Sequence, residues 1–472
     1  MRVLLVNPAN GLVNIVRLKE SRWNRYRVWQ PLSLMTLAGL TPWDWDVEIV
    51  DENLGIPDYA AMERPDLVGI TAFTSQAPRA YAVAAQFRRV GVPVVMGGIH
   101  ATMCLDEAMG RVDSVVTGEA DGVWPQVLEH ARQGRLQRRY DGGLASIQQI
   151  RPARHDLLSR HYAFGAIQTT RGCPLNCSFC SVTAFNGRSY RQRPIEDVVR
   201  ELQMIPQRRV LVVDDNLIGT RAEHIERAKS LFRAIIRANI RKDWVAQATI
   251  NFADDEELLA LAAKAGCKGV FIGFESPTVE GLQEVGKRLD LAKRRDLRAS
   301  VRRIHKHGML VVGSFIMGLD ADGPGIGARI AEVATRIRID GLNALFLTPL
   351  PGTQLWEKMS AERRIAVDDF PEDWKYFTLT FPVARYKHLS LADVIDEMSR
   401  CGRIFYSIPR ILRRLLAGLW QRRGFLINLV ISLSFRANTR LERKAFAALE
   451  RTRAGQYEAE AGEAKERETR RP

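Results

Sequence analysis

The sequence predicts an α/β protein in three parts: a domain built on a parallel sheet, a partial barrel of six strand–helix units, and a helical carboxyl-terminal domain. Three observations predict this. Short continuous apolar runs alternate with helix-like stretches through residues 1–140, a second such series runs from residue 164 to 348, and after about residue 360 the chain turns helical and basic. Length agrees, since 472 residues at roughly 150 per domain suggest about three domains. The expected boundaries are 1–140, a linker at 141–160, 161–360, 361–450 and a charged, mobile tail at 451–472.

Composition narrows the function classes. With 46% hydrophobic and 26% charged residues the chain can bury a large core, and 69 basic against 54 acidic side chains give +15. That balance favours anionic partners without saying anything about fold. Of six cysteines, Cys173, Cys177 and Cys180 fall within eight residues, while Cys104, Cys267 and Cys401 lie far apart. This pattern fits metal ligation in a reducing compartment better than a secreted disulfide scaffold. Residues 1–8 read straight into a buried strand with no signal-peptide architecture. No apolar run approaches the roughly 20 residues needed to cross a bilayer; the longest candidate, 425–435, contains Asn428. The expected location is cytoplasmic, with peripheral attachment to the inner face of the membrane left open.

In the first domain the apolar runs are 3–6, 47–50, 67–70, 92–96 and 112–116, with helical patterns at 77–89 and 123–131. Continuous Val/Ile/Leu strands separated by helices read as a parallel sheet covered on both faces, with ligands beyond the carboxyl ends of the strands. Those ends carry Thr71-Ala72-Phe73-Thr74-Ser75, Gly97-Gly98-Ile99-His100-Ala101-Thr102 and Thr117-Gly118-Glu119-Ala120-Asp121. Glycines permit close backbone approach and hydroxyls grip polar edges. The candidate cofactor-binding residues are therefore Thr71, Ser75, Gly97, Gly98, His100, Thr102, Thr117, Gly118 and Glu119. No Gly-x-Gly-x-x-Gly follows the first strand, which argues against a nicotinamide cofactor. On residue type alone, a cofactor pocket and a set of tight turns fit these loops equally.

The second domain opens with Thr170-Arg171-Gly172-Cys173-Pro174-Leu175-Asn176-Cys177-Ser178-Phe179-Cys180, a Cys-x3-Cys-x2-Cys spacing. Three thiolates can hold three irons of a [4Fe-4S] cluster and leave the fourth open. A closed zinc site or a ferredoxin cluster would want four protein ligands. The competing reading is a structural zinc ion completed by His161 or another residue. Arg188, Tyr190, Arg191 and Arg193 form a basic run that either steadies the cluster or is simply solvated. Further strand runs at 164–169, 210–213, 245–250, 269–273, 310–316 and 344–348, with helices at 194–202, 224–236, 255–265 and 292–307, give the six units. By analogy with full barrels, the carboxyl ends of these strands face the chemistry. They carry Asp214-Asp215-Asn216, Gln247, Glu275-Ser276, Met317-Gly318 and Pro351-Gly352, with Lys287 nearby. Asp214 and Asp215 also fit as ordinary turn acids.

Taken together, the chain resembles the cobalamin-binding-domain radical S-adenosylmethionine (SAM) enzymes. The resemblance rests on Asn7-Pro8, Pro31-Leu32-Ser33-Leu34, Val68-Gly69-Ile70-Thr71, the Gly97–Thr102 and Thr117–Glu119 loops, and the cysteine motif. It implies a Rossmann-like cobalamin-binding domain followed by a partial radical SAM barrel, with a [4Fe-4S] cluster, SAM and cobalamin as cofactors. In that family the open iron binds the amino and carboxylate groups of SAM, and one electron from an external donor such as flavodoxin or ferredoxin cleaves it to a 5′-deoxyadenosyl radical. The resemblance assigns Cys173, Cys177 and Cys180 to the cluster, Phe179 to the adenine, and Asp215 and Asn216 to the active site. It assigns Glu275 and Ser276 to the SAM ribose or amino group, Lys287 to the SAM carboxylate, Gln247 to methionine or substrate, and Met317 to the rim. The rim glycines are expected to admit adenine and corrinoid close to the backbone. The Asp-x-His-x-x-Gly signature of classical corrinoid domains is absent. That leaves His100 as a cobalt ligand, a corrinoid-edge contact or a turn residue. The implied activity is methylation of an unactivated carbon, consuming two SAM molecules. The alternatives are an oxidation, cyclisation or ring contraction without methyl transfer and, from outside the enzymes, a cofactor-binding regulator.

In the last domain, aromatics gather at 370–377 and at Phe381 and Tyr386, fitting either a substrate pocket or structural packing. Ser407 is expected to cap a helix with Pro409 in its first turn. Ile408, Ile411, Leu412, Leu415, Leu416 and Leu419 form a stripe flanked by Arg410, Arg413 and Arg414, with Trp420, Arg422 and Arg423 beyond. Such a helix either lies in an anionic lipid surface or packs on the barrel. No RNA-binding motif supports nucleic acid as the partner. Similar extensions in hopanoid-modifying relatives imply a hydrophobic small-molecule or lipid substrate.

Overall fold

A computed structural model describes residues 1–10, 29–147, 150–158, 162–287, 296–420 and 428–437. His161, Arg288, residues 292–295, Arg422, Arg423 and the tail at 451–472 lie outside the described residues, as do the side chains of Leu419 and Trp420.

The first sheet has six parallel strands, β1 (Arg2–Asn7), β2 (Asp46–Asp51), β3 (Leu67–Thr71), β4 (Val94–Gly97), β5 (Ser114–Thr117) and β6 (Arg139–Asp141), in the order β2-β1-β3-β4-β5-β6. Strand alternation divides its apolar residues between two cores. Val3, Leu5, Leu67, Val95 and Val116 pack under the helices Leu32–Leu40 and Trp124–Arg132. Leu4, Val6, Val68, Ile70, Val94 and Met96 pack with the helix Ala77–Arg89 on the other face. Two elements carried no signal in the apolar pattern. The edge strand β6 buries only Tyr140. The helix Leu32–Leu40 is apolar all round because it is covered twice, by the sheet on one side and by Ala153, Leu158 and Tyr162 against Met35 on the other.

The second sheet contains β7 (Phe164–Ile167), β10 (Arg209–Val212), β11 (Asp243–Ala248), β12 (Cys267–Glu275), β13 (Leu310–Met317) and β14 (Gly341–Phe346). All six are parallel and neighbours follow chain order, from β7 at one edge to β14 at the other. This is the expected partial barrel, with helices Ile195–Met204, Ala222–Arg237, Glu256–Lys264, Leu297–Lys306 and Ile326–Ile337 between successive strands. Asp255 and Asp296 cap two of these helices, accepting from Leu258 N and Ala299 N. A short antiparallel pair, β8 (Thr170–Arg171) and β9 (Arg191–Gln192), brackets the cysteine loop.

Beyond the barrel, the helix Leu391–Phe405 packs on Ile326–Ile337, and the Glu397 carboxylate accepts from Gly325 N and Gly327 N at 2.8 Å each. The helix Ile408–Trp420 follows with Pro409 in its first turn. Ser407 does not cap it: its hydroxyl is spent on Ile404 O at 3.0 Å. The aromatics at 370–377 are packing. Phe370 stacks on Trp374 at 3.7 Å, and Trp374, Phe377 and Phe381 are buried.

Candidate active site

Cys173, Cys177 and Cys180 lie on the loop between β8 and the helix Ser181–Asn186, all unpaired and half-buried. Burial pushes all three thiols up, Cys177 to about 12, so iron must displace their protons. Hydrogen-bond donors oppose that shift at two of the sulfurs. The Leu175 amide faces Cys173, the Val182 and Thr183 amides face Cys180, and Asn216 Nδ2 lies 3.8 Å from Cys173 Sγ. Among the described residues, no three Cys, His, Asp or Glu side chains gather around one ion-sized point.

The loop is held from several barrel strands. Asp214, after β10, is buried and accepts from Thr169 N and Oγ1 at 2.5 Å each, which makes it the turn acid of the pair. Asp215 accepts from Gly172 N at 2.9 Å, and burial raises its carboxyl to about 6. Asn216 is buried between Cys173 and Thr249. Gly172 adopts φ +83°, and a Cβ there would stand 2.4 Å from Ser189 O. The end of β12 is irregular: the register slips between Gly273 and Glu275, and Glu275 takes φ +62°. The Glu275 carboxylate meets Lys287 Nζ at 2.8 Å, and the Lys287 charge is felt at Cys177. Phe179 is half-buried on the loop, and Gln247 is exposed near the carboxyl end of strand β11. The structure thus gathers Asp215, Asn216, Phe179, Glu275 and Lys287 around the cysteines.

Several expected contacts are corrected. Met317 is fully buried in the core rather than on the rim. Ser276 is buried, and its hydroxyl closes the following turn with Thr278. The rim glycines admit protein rather than ligand: the Cβ direction of Gly318 is filled by the Tyr386 ring at 2.4 Å and that of Gly352 by Met103 Sδ at 2.3 Å. His100 has no exposed surface. Its Nε2 meets Tyr81 Oη at 2.9 Å and Glu107 Oε1 at 3.2 Å, and its ring abuts Trp374. One ring nitrogen is thus committed to protein, while Nδ1 is buried with no hydrogen-bond partner among the described residues.

The remaining loop residues divide in the same way. Thr102 Oγ1 donates to Gly98 O and accepts from Gly118 N, each at 3.0 Å, tying the β4 and β5 ends together. Gly98, at φ +90°, packs against Thr71 and Ala72. Thr117 is buried near Tyr140 O and Asp141. Thr71, Ser75 and Gly97 are half-exposed at the strand ends, and Phe73 between them is 68% exposed. Phe73 fits the apolar edge of a flat ligand, and its only sequence signal is an aromatic in a strand-end loop.

Glu119 faces the other domain. Its carboxylate takes Arg171 at 3.0 Å, Arg191, and Ala145 N at 2.9 Å, while Asp121 takes Arg171 with two bonds of 2.9 and 3.0 Å. Arg171 and Arg191 stand on the strands flanking the cysteine loop. The strand-end loops of the two sheets therefore meet directly, with the helix Ile99–Met103 packed on Ser181–Asn186. Sequence reasoning missed this seam, because its partners are far apart in the chain.

A parallel sheet facing a three-cysteine partial barrel defines a radical enzyme with two cofactor-binding units. Residues 167–323 match the radical SAM superfamily and residues 24–128 the B12 binding domain. The chain thus carries a radical SAM domain and a B12 binding domain, and it is a radical SAM enzyme whose cofactors are a [4Fe-4S] cluster, SAM and cobalamin. It is 28% identical to an uncharacterized methyltransferase of Pyrococcus horikoshii, covering 85% of this chain and 92% of that one. It is 28% identical to the bacteriochlorophyllide d C-12(1)-methyltransferase of Chlorobaculum tepidum, with 82% and 84% covered, and 28% identical to the hopanoid C-2 methylase of Rhodopseudomonas palustris, with 72% and 66% covered. The radical SAM methyltransferase TsrM of Kitasatospora setae, solved with cobalamin and a [4Fe-4S] cluster, shares the fold at TM-score 0.64 and 19% identity, over 95% of this chain and 99% of that one.

Proposed function

We propose that this protein methylates an unactivated carbon of a hydrophobic acceptor, a polycyclic lipid of the hopanoid type being the leading candidate. The observation that supports the proposal is the direct meeting of the β5 loop with the strands flanking the cysteine loop through Glu119, Asp121, Arg171 and Arg191, which brings the cofactor-binding ends expected of the two sheets together. When bound, the cofactors supply a carbon-centred oxidant from SAM and a transferable methyl group from the corrinoid. Cys173, Cys177 and Cys180 hold the cluster, and Asn216 donates toward the Cys173 sulfur. In this reading Lys287, which pairs with Glu275, orients the SAM carboxylate, and Phe179 flanks its adenine. Asp215 holds the loop backbone at Gly172. In this reading the exposed Gln247 of β11 meets the substrate.

The methyltransferase names of the relatives support the reaction type, and the hopanoid methylase supports the acceptor class. No helix among the described residues is long and apolar enough to cross a membrane. The deciding experiment is anaerobic turnover of reconstituted enzyme with methyl-labelled SAM, an electron donor and a lipid extract. The expected result is label in a new lipid product together with 5′-deoxyadenosine. Deoxyadenosine whose formation depends on added substrate, with no label in any product, would establish the alternative radical chemistry instead.

A further inference from the structure

The carboxyl-terminal helices carry an outward apolar face. In the helix Ile408–Trp420, Ile408, Leu412 and Leu416 are 59%, 54% and 67% exposed, while Ile411 and Leu415 face inward. A spacing of four keeps the exposed three on one stripe. The helical residues 428–437 are mixed, with Leu429 and Phe435 packed on the core. Asn428, Ser432 and Ser434 are buried, with Asn428 donating to Asp340 Oδ1 at 3.1 Å, whereas Val430 and Leu433 are exposed. Exposing isoleucine, leucine and valine is unfavourable in water and becomes favourable when lipid replaces the water.

The two helices share one support. Phe435 stacks on Tyr406 with ring centroids 5.6 Å apart, Arg436 donates to Tyr406 O, and Arg414 donates to Phe405 O beneath the first helix. Exposed Arg336, Arg338, Arg403 and Arg413 surround this region, while Asp393 and Asp396 lie in the opposite half of the helix Leu391–Phe405. We propose that this face docks on an anionic bilayer surface, with Ile408, Leu412, Leu416, Val430 and Leu433 at the acyl boundary and the arginines at the headgroup phosphates. A second copy of the chain is a poorer occupant, since a symmetric contact would oppose arginine to arginine. The proposal rests on the hydrophobic-acceptor reading for its purpose and on this surface for its geometry.

The test is sedimentation of the full-length holoenzyme with vesicles of phosphatidylcholine alone or of an equal mixture with phosphatidylglycerol. Binding is expected to the anionic vesicles, to weaken at high salt, and to fall at least about tenfold in the double variant Leu412→Gln, Leu416→Gln. Arg413→Glu should weaken anionic binding while leaving the apolar face intact. Circular dichroism and deoxyadenosine formation in detergent confirm that each variant is folded. A holoenzyme that stays in the supernatant, a folded double variant that binds unchanged, or a dimer that the double substitution dissociates would each overturn the proposal. Methyl transfer to a detergent-solubilised acceptor is scored separately: its persistence without vesicle binding rejects the docking face alone, and its absence with binding rejects the acceptor reading alone.

Discussion

His100 shows how residue type and residue role diverge. A histidine after two glycines invites a metal, yet its ring closes a buried network with Tyr81, Glu107 and Trp374. His100→Phe should leave the visible spectrum of bound cobalamin unchanged and lower unfolding free energy by about 1–3 kcal/mol, the cost of a lost buried hydrogen bond; a shift in the cobalt absorption bands would return His100 to the metal. Asp322 makes a pH-dependent prediction. Burial raises its carboxyl to about 6 although Gly318 N and Leu319 N donate to it. The folded chain holds this proton more tightly than the unfolded one, so the contribution is complete below about pH 4 and is lost as pH rises to about 6. Chemical denaturation of Asp322→Asn should show the wild-type decline across that window, on the order of 3 kcal/mol, to be reduced. The cysteines were legible because three ligands sit within eight residues and their spacing carries the chemistry. His100 was not, because its partners range from residue 81 to residue 374.

Among the elements, those with a regular apolar period were legible, and the predicted helix at 77–89 matches Ala77–Arg89. The helix Leu32–Leu40 lacked that period because both its sides are covered, and β6 lacked it because an edge strand needs only Tyr140 inside. Loop glycines were legible as exceptional positions but not in what fills the space beside them. Gly318, at φ +98°, ends β13 with the Tyr386 ring where a Cβ would go. Gly318→Ala should cost about 2–4 kcal/mol in denaturant unfolding, combining strain with overpacking. Gly122→Ala is the control: a Cβ there meets nothing within 4 Å, and its stability should stay within about 0.5 kcal/mol of the parent. Equal losses at both positions would reject the packing account of Gly318.

At the scale of the whole molecule, the seam between the sheets is electrostatic at its centre. Glu119 is buried and holds Arg171 and Arg191 together, so removing it takes the carboxylate from Arg191 and leaves Arg171 to Asp121 alone. Glu119→Ala should cost about 3–5 kcal/mol and split the thermal transition into two; one unchanged transition would show that the seam adds nothing to cooperativity. Glu119→Gln should recover part of the loss, since an amide oxygen still accepts. The seam also bears on biosynthesis at the ribosome. The six strands of the first sheet are complete at Asp141, but the indole that donates to Glu107 and covers His100 belongs to Trp374. The nascent first domain must therefore wait with that buried polar patch open to water until most of the chain has emerged, and a fragment cut at the domain boundary would keep the patch open for good.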